Sequence, residues 1–150
     1  LKTIDLDQLS KELGNFYGRS QKEVRKAVSR GLQKSISDLV AASPVDTGLY
    51  SASWDFRIDE KQAIIGNHAP YAGIIEYGTR PFTPPLAPLL RWAKRVLQDP
   101  SQPPDFSPEV WKLARATQKK IQQHGMVPRH VLENTLPKII ENIKQEIKHG

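Results

Sequence analysis

The sequence predicts an α+β fold, with a small antiparallel β-sheet flanked by a long N-terminal helix and by C-terminal helices. Three observations carry this. The hydrophobic period is helical after Ser20, changes to two from Ser51, and is helical again from Leu86. Single turn formers crowd between Ser43 and Gly78, where the period changes. Proline-rich segments at 79–85 and 98–108 then separate the later helical patterns. The 150 residues suit one domain, with 1–19 as a candidate N-terminal arm and 20–150 as the core.

Leu6, Leu9, Leu13 and Phe16 step by three and four, which predicts a helix over 5–17 capped by Asp5 or Asp7 and weakened at Gly14 and Gly18. Such a helix suits an arm that docks on a neighbour. Ser20 with Glu23 three residues on forms a capping box. The stripe Val24, Ala27, Val28, Leu32, Ile36, Leu39 and Val40 follows, and Pro44 stops the helix. From Ser51, the residues Ala52, Trp54, Phe56 and Ile58 alternate with polar ones, as in a half-buried strand. Asp59-Glu60-Lys61 turn the chain, and Ala63-Ile64-Ile65-Gly66 return as the second strand of a hairpin.

Tyr71, Ile74, Ile75 and Tyr77 fit one helical turn lying on the sheet, with Glu76 partly buried among them and needing donors. Leu86, Leu89, Leu90, Ala93, Val96 and Leu97 predict the next helix, with Trp92 at its flank. Ser107 before Pro108 caps another helix, which carries Val110, Ala114, Thr117 and Ile121 and ends at Gly125 as a left-handed cap. Val131, Leu132, Leu136, Ile139, Ile140, Ile143 and Ile147 mark the last helix, with a kink or break expected near Thr135 because of Pro137.

No cysteine is present, which excludes disulfides and thiolate metal sites and fits a cytosolic setting. No apolar run reaches bilayer length and the start lacks a signal-peptide pattern. The chain begins at Leu1, as expected of a truncated or partly ordered product. The net charge of +6 raises the prospect of a polyanionic partner, although lysines and arginines are spread over every helical segment. Among them, Arg25, Lys26, Arg30 and Lys34 on the long helix are candidates for tracking phosphates.

Asp46-Thr47-Gly48 is the triplet of aspartic proteases, in which two aspartates share a proton and activate water. Here it follows a proline-stopped helix rather than a hydrophobic strand, so a turn is the better reading. His124 and His130 lack the spacing of a helical metal pair. Tyr71, Glu76 and Tyr77 read as a structural network rather than an acid–base cluster. No serine elbow or phosphate-cradling glycine loop is present. No catalytic, cofactor-binding or metal-ligating residue is assigned, and the chain is not read as an enzyme.

Ser43-Pro44-Val45-Asp46-Thr47-Gly48, then Ser51-Ala52-Ser53-Trp54, then Asn67, Pro70, Tyr71 and Ala72, then Ile75-Glu76-Tyr77-Gly78, resembles the tail-completion and neck proteins of tailed bacteriophages, including the minor tail protein Z type. The order and spacing of all four sub-motifs match. The similarity extends over roughly 20–147, with no clear counterpart before that. Leu49-Tyr50 departs from the family, which often carries a basic residue there, and the stretch 98–108 is long enough to be an insertion reaching a neighbour.

The resemblance implies an α+β virion structural protein without catalysis. It implies a ring, a hexamer or in some neck proteins a dodecamer, that caps the completed tail or joins it to the head connector. Its partners would be other copies of itself, the tail tube protein and the connector or stopper protein, with DNA passing through the ring and no membrane involved. It would be assembled in the host cytoplasm and reside at the head–tail junction. The matching motif residues are Pro44, Asp46, Thr47, Gly48, Trp54, Asn67, Pro70, Tyr71, Glu76, Tyr77 and Gly78. Candidate contacts between subunits or with partners are Arg80, Pro81, Phe82, Pro103, Pro104, Phe106 and Arg129. A DNA-contacting packaging factor and an Asp46 hydrolase are the alternatives.

Overall fold

Capping chemistry, turn chemistry and one buried stripe decide most of the elements in the computed structural model, which describes residues 1–14 and 18–149. The described elements form an α+β fold with seven α-helices and one three-stranded antiparallel sheet. The chain divides into two compact units, Leu1–Ala72 with His130–Gly150, and Gly73–Arg129.

In the first unit, β1 (Lys2–Asp5) leads directly into α1 (Leu6–Leu9), whose N-cap Asp5 accepts from the amides of Asp7 and Gln8, both at 2.9 Å. A turn of π-helix, Ser10–Gly14, follows. The predicted helix over 5–17 is thus met over 6–14 of the described residues, as four α-helical and then five π-helical residues, with the correction that a strand precedes it. Phe16 lies outside the described residues. A strand of four residues with Ile4 as its one large apolar side chain is too short to show a period, and antiparallel pairing with Gln62–Ile65 supplies the template. Leu6 is fully buried, and its amide donates to the Lys61 carbonyl at 2.7 Å.

The long helix α2 (Gln21–Ala42) starts with the predicted capping box: Ser20 Oγ accepts from the Glu23 amide, and Glu23 accepts from the Ser20 amide at 2.8 Å. Its buried face is Val24, Ala27, Val28, Gly31, Leu32, Ser35 and Leu39. Gly31 and Ser35 thus join the stripe, whereas Val40 is exposed and Ile36 half-buried. The cause is α7 (Val131–His149), which packs along α2 and comes closest at Gly31, where a Cβ would stand 2.7 Å from Ile143 Cα. Only glycine lets the two backbones approach so closely.

α7 buries Val131, Leu132, Thr135, Ile139, Ile143 and Ile147, and it continues through Pro137, so of the expected kink or break the break does not occur. Proline removes one amide donor. Packing of the residues around it along α2 outweighs that loss, since most helical stability comes from a packed face.

A short helix, α3 (Leu49–Ala52), precedes β2 (Trp54–Ile58), so Ser51 and Ala52 are helical rather than part of the strand. Gly48, at φ 87°, reverses the chain, and its carbonyl accepts from the Ala52 amide at 3.0 Å. β3 (Gln62–Asn67) returns as predicted and is the central strand, with the order β1-β3-β2. In the hairpin turn Asp59 Oδ1 accepts from the amides of Lys61 and Gln62, both at 2.9 Å. These bonds, that of Lys61 first, hold its carboxyl below the usual aspartate range. Pairing of Phe56 with Ile65 and Ile58 with Ala63 puts the predicted apolar alternation on one face.

The second unit begins within α4 (Ala72–Tyr77) and contains α5 (Leu86–Leu97) and α6 (Pro108–His124), both where the sequence places them. Leu90, Ala93, Val110 and Ala114 are its buried core, flanked by Leu86, Leu89, Trp92, Phe106, Trp111 and Leu113. Ser107 caps α6 with Pro108 at its first position. Gly125 ends α6 at φ 72° and ψ −171°, which is an extended positive-φ glycine rather than the left-handed cap expected. A Cβ there would lie 2.1 Å from the Thr79 carbonyl oxygen, so close chain passage decides this conformation.

Candidate functional site

The motif residues of the first unit gather where α2, α3 and the hairpin meet. Trp54 and Asn67 are cross-strand partners on β2 and β3. The Trp54 indole N–H donates to Ser43 Oγ at 2.7 Å, and Ser43 Oγ in turn donates to the Leu39 carbonyl at 2.6 Å. Asn67 Nδ2 donates to the Tyr50 carbonyl at 2.7 Å, while its Oδ1 accepts from the Ala69 amide at 2.9 Å. Tyr50 meets Trp54 edge-on at 5.5 Å and stacks on Tyr71 at 6.4 Å between ring centroids. Trp54, Asn67 and Tyr71 are therefore joined into one network that ties a helix end to two strands.

Tyr50 and Ser43 belong to this network; the sequence placed Ser43 at the start of the motif block and Tyr50 at a departure from the family, but gave neither a contact role. The signal for Tyr50 was its four-residue spacing from Trp54 across the helix–strand corner. Pro44, Asp46, Thr47 and Gly48 form the loop before α3, with Asp46 and Thr47 exposed and Pro44 and Gly48 half-buried. Leu49 donates its amide to Thr47 Oγ1 at 3.5 Å. Pro70 is exposed. An exposed Asp46 lacks the desolvated carboxylate pair of aspartic-protease chemistry.

Glu76, Tyr77 and Gly78 fall in the second unit, with every candidate contact residue. Glu76 is buried at 9% exposure, and Tyr77 is 69% exposed. Gly78, at φ 70°, has the Met126 carbonyl oxygen 2.4 Å from where a Cβ would be. The Thr79 amide donates to that carbonyl, the Met126 amide donates to Thr79 Oγ1, both at 3.0 Å, and the Arg129 amide donates to the Ile75 carbonyl at 2.8 Å. Gln118 Nε2 donates to the Pro84 carbonyl at 2.8 Å. The loop carrying Arg80, Pro81 and Phe82 is thus braced against the end of α6 while all three side chains stay exposed.

In the other loop, Asp99 accepts from Ser101 and from Ser107 Oγ, the latter at 2.8 Å. Its carboxyl is held below the usual range by the Ser101 and then the Ser107 hydroxyl. Pro103 and Pro104, joined by a cis peptide bond, are exposed, whereas Phe106 packs against the unit's core. Arg129 is exposed. Among the described residues no group of histidines and carboxylates is arranged to hold a metal, and no helix is long and apolar enough to cross a membrane.

Residues 7–78 match the family HK97-gp10_like, described as "Bacteriophage HK97-gp10, putative tail-component". The matched segment contains the whole motif block and ends at Gly78. It also includes residues 7–19, for which the sequence resemblance offered no counterpart, and it does not extend to the segment after 78. No curated protein and no solved structure matches the chain.

Proposed function

From the match of residues 7–78 to the HK97-gp10-like family of phage tail components, we propose that the protein is a tail component and acts at the head–tail junction. There it completes or caps the tail as a closed ring of identical subunits and joins it to the head connector. The carrying observation is the family match across the motif block, in which Trp54, Asn67 and Tyr71 are joined with Ser43 and Tyr50 in one structural network.

The second unit supplies what a ring subunit needs for its contacts. Its loops at 79–85 and 98–108 are braced by hydrogen bonds and rich in proline, so ordering them on a partner costs little entropy. Cyclic assembly joins two different patches of each subunit. In isolation the chain is a monomer or a labile oligomer, and the ring closes on its partner.

Inactivating the gene and imaging the particles by electron microscopy tests this. Separate filled heads and tails, rejoined when the protein is restored, are expected. Normal joined particles without the protein would overturn the proposal, as would a stable isolated dimer in light scattering.

A further inference from the structure

The chain's positive charge is concentrated in one unit. Gly73–Arg129 contains nine Lys and Arg against four Asp and Glu, a net of +5, and the remaining residues contain 13 against 12. Within that unit α6 is the element with the most cations. Lys112, Arg115, Lys119 and Lys120 lie on it, and no acidic residue occurs between Val110 and His124. Steps of three, four and one place Lys112, Arg115 and Lys119 on one face with Lys120 at its edge. That face is opposite the buried Val110, Ala114 and Ile121. All four cations are exposed, and among the described residues Lys112, Lys119 and Lys120 take part in no salt bridge. Arg115 is held over the Trp111 ring, 5.1 Å from its centroid.

We propose that this outer face of α6 binds the phosphate backbone of duplex DNA. The sequence had pointed instead to the cations of α2, but there the structure engages three of the four. Arg30 and Lys34 share the carboxylate of Glu146, and Arg25 donates to the Glu60 carbonyl, which leaves Lys26 exposed. Among the described residues the cations of α6 have no partner carboxylate. From Lys112 to Lys120 the helix rises about 12 Å, a length over which duplex DNA carries roughly seven charges. Ala116 lies between the cations, and Gln122 and Gln123 follow Lys120, all three exposed. A protein-binding face would carry aromatic or aliphatic anchors at its centre, whereas here the neighbouring aromatic, Trp111, packs against the unit's core and is covered by Arg115. Small and hydrogen-bonding residues among cations fit a sugar–phosphate surface. The proposal stands on charge and placement alone, so its failure would leave the tail reading of residues 7–78 intact.

Anisotropy of a fluorescein-labelled duplex, titrated with the full chain across salt concentrations, tests it. Four phosphate contacts give a slope of log K on log salt near −3.6, a loss on the order of 100-fold between about 50 and 200 mM salt. Lys112→Gln with Lys119→Gln and Lys120→Gln should bring the slope to about −1 and the salt loss to a few-fold. The control pair Lys22→Gln with Lys26→Gln on α2 should leave both unchanged, with circular dichroism confirming the fold of each variant. Absence of binding at low salt would overturn the proposal, and so would an unchanged slope in the triple variant. Competition by polyglutamate as effective as competition by DNA at equal charge would reassign the face to an acidic protein.

Discussion

At Ser43 one hydroxyl serves two partners, donating to the Leu39 carbonyl and accepting from the Trp54 indole. Both Ser43 and Trp54 are buried. Ser43→Ala therefore leaves an indole N–H without an acceptor, at a cost of roughly 1–3 kcal/mol, which urea unfolding followed by circular dichroism will measure. Asp46→Asn, at an exposed turn, should cost less than about 1 kcal/mol and leave particle assembly intact. Loss of a hydrolytic activity in that variant would contradict the turn reading. The sequence drew attention to Asp46-Thr47-Gly48 because the triplet is familiar in catalysis. It gave Ser43 and Tyr50 no contact role, because a serine at a helix end and a tyrosine in a corner show theirs only when the hairpin returns Trp54, Asn67 and Tyr71 beside them.

Helix ends that carry their own chemistry were legible. Ser20 with Glu23, and Ser107 with Pro108, fix starts by local bonds that need no tertiary partner. β1 was not legible, because its strand state depends on pairing with β3. The continuity of α7 through Pro137 was not legible either, since the packing that sustains it comes from α2. Gly31 is the clearest case. By propensity alone, Gly31→Ala should stabilise an exposed helix by about 1 kcal/mol. Here the new Cβ would meet Ile143 Cα, a backbone atom that cannot rotate away. The net expectation is a loss of roughly 1–3 kcal/mol by overpacking, read from chemical denaturation. A gain in stability would show that α2 and α7 do not approach this closely in solution.

Across the whole molecule, the total charge was legible in the sequence and its distribution was not, because pairing and placement in one unit are properties of the fold. Four carboxyls, Glu23, Asp59, Asp99 and Glu146, are held below their ordinary values by hydrogen bonds that the folded chain provides. For Glu146 the causes are the hydrogen bonds from Lys34 first and then Arg30. A carboxyl depressed in the folded state binds fewer protons there than in the unfolded chain. Its contribution is complete above the unfolded value, 4.5 for Glu146, and is lost as pH falls through the lower folded value. Stability should therefore decline with acid below that point, with all four groups acting in the same direction. Glu146→Gln separates one of them. Gln cannot pair as an anion with Arg30 and Lys34, so the variant should be less stable than the native chain at neutral pH. The difference should shrink as the native Glu146 itself becomes protonated. Urea unfolding at a series of pH values provides the comparison. Convergence of the two stability curves in acid is expected, whereas parallel curves would mean that the bonds between Glu146 and the α2 cations add nothing through charge.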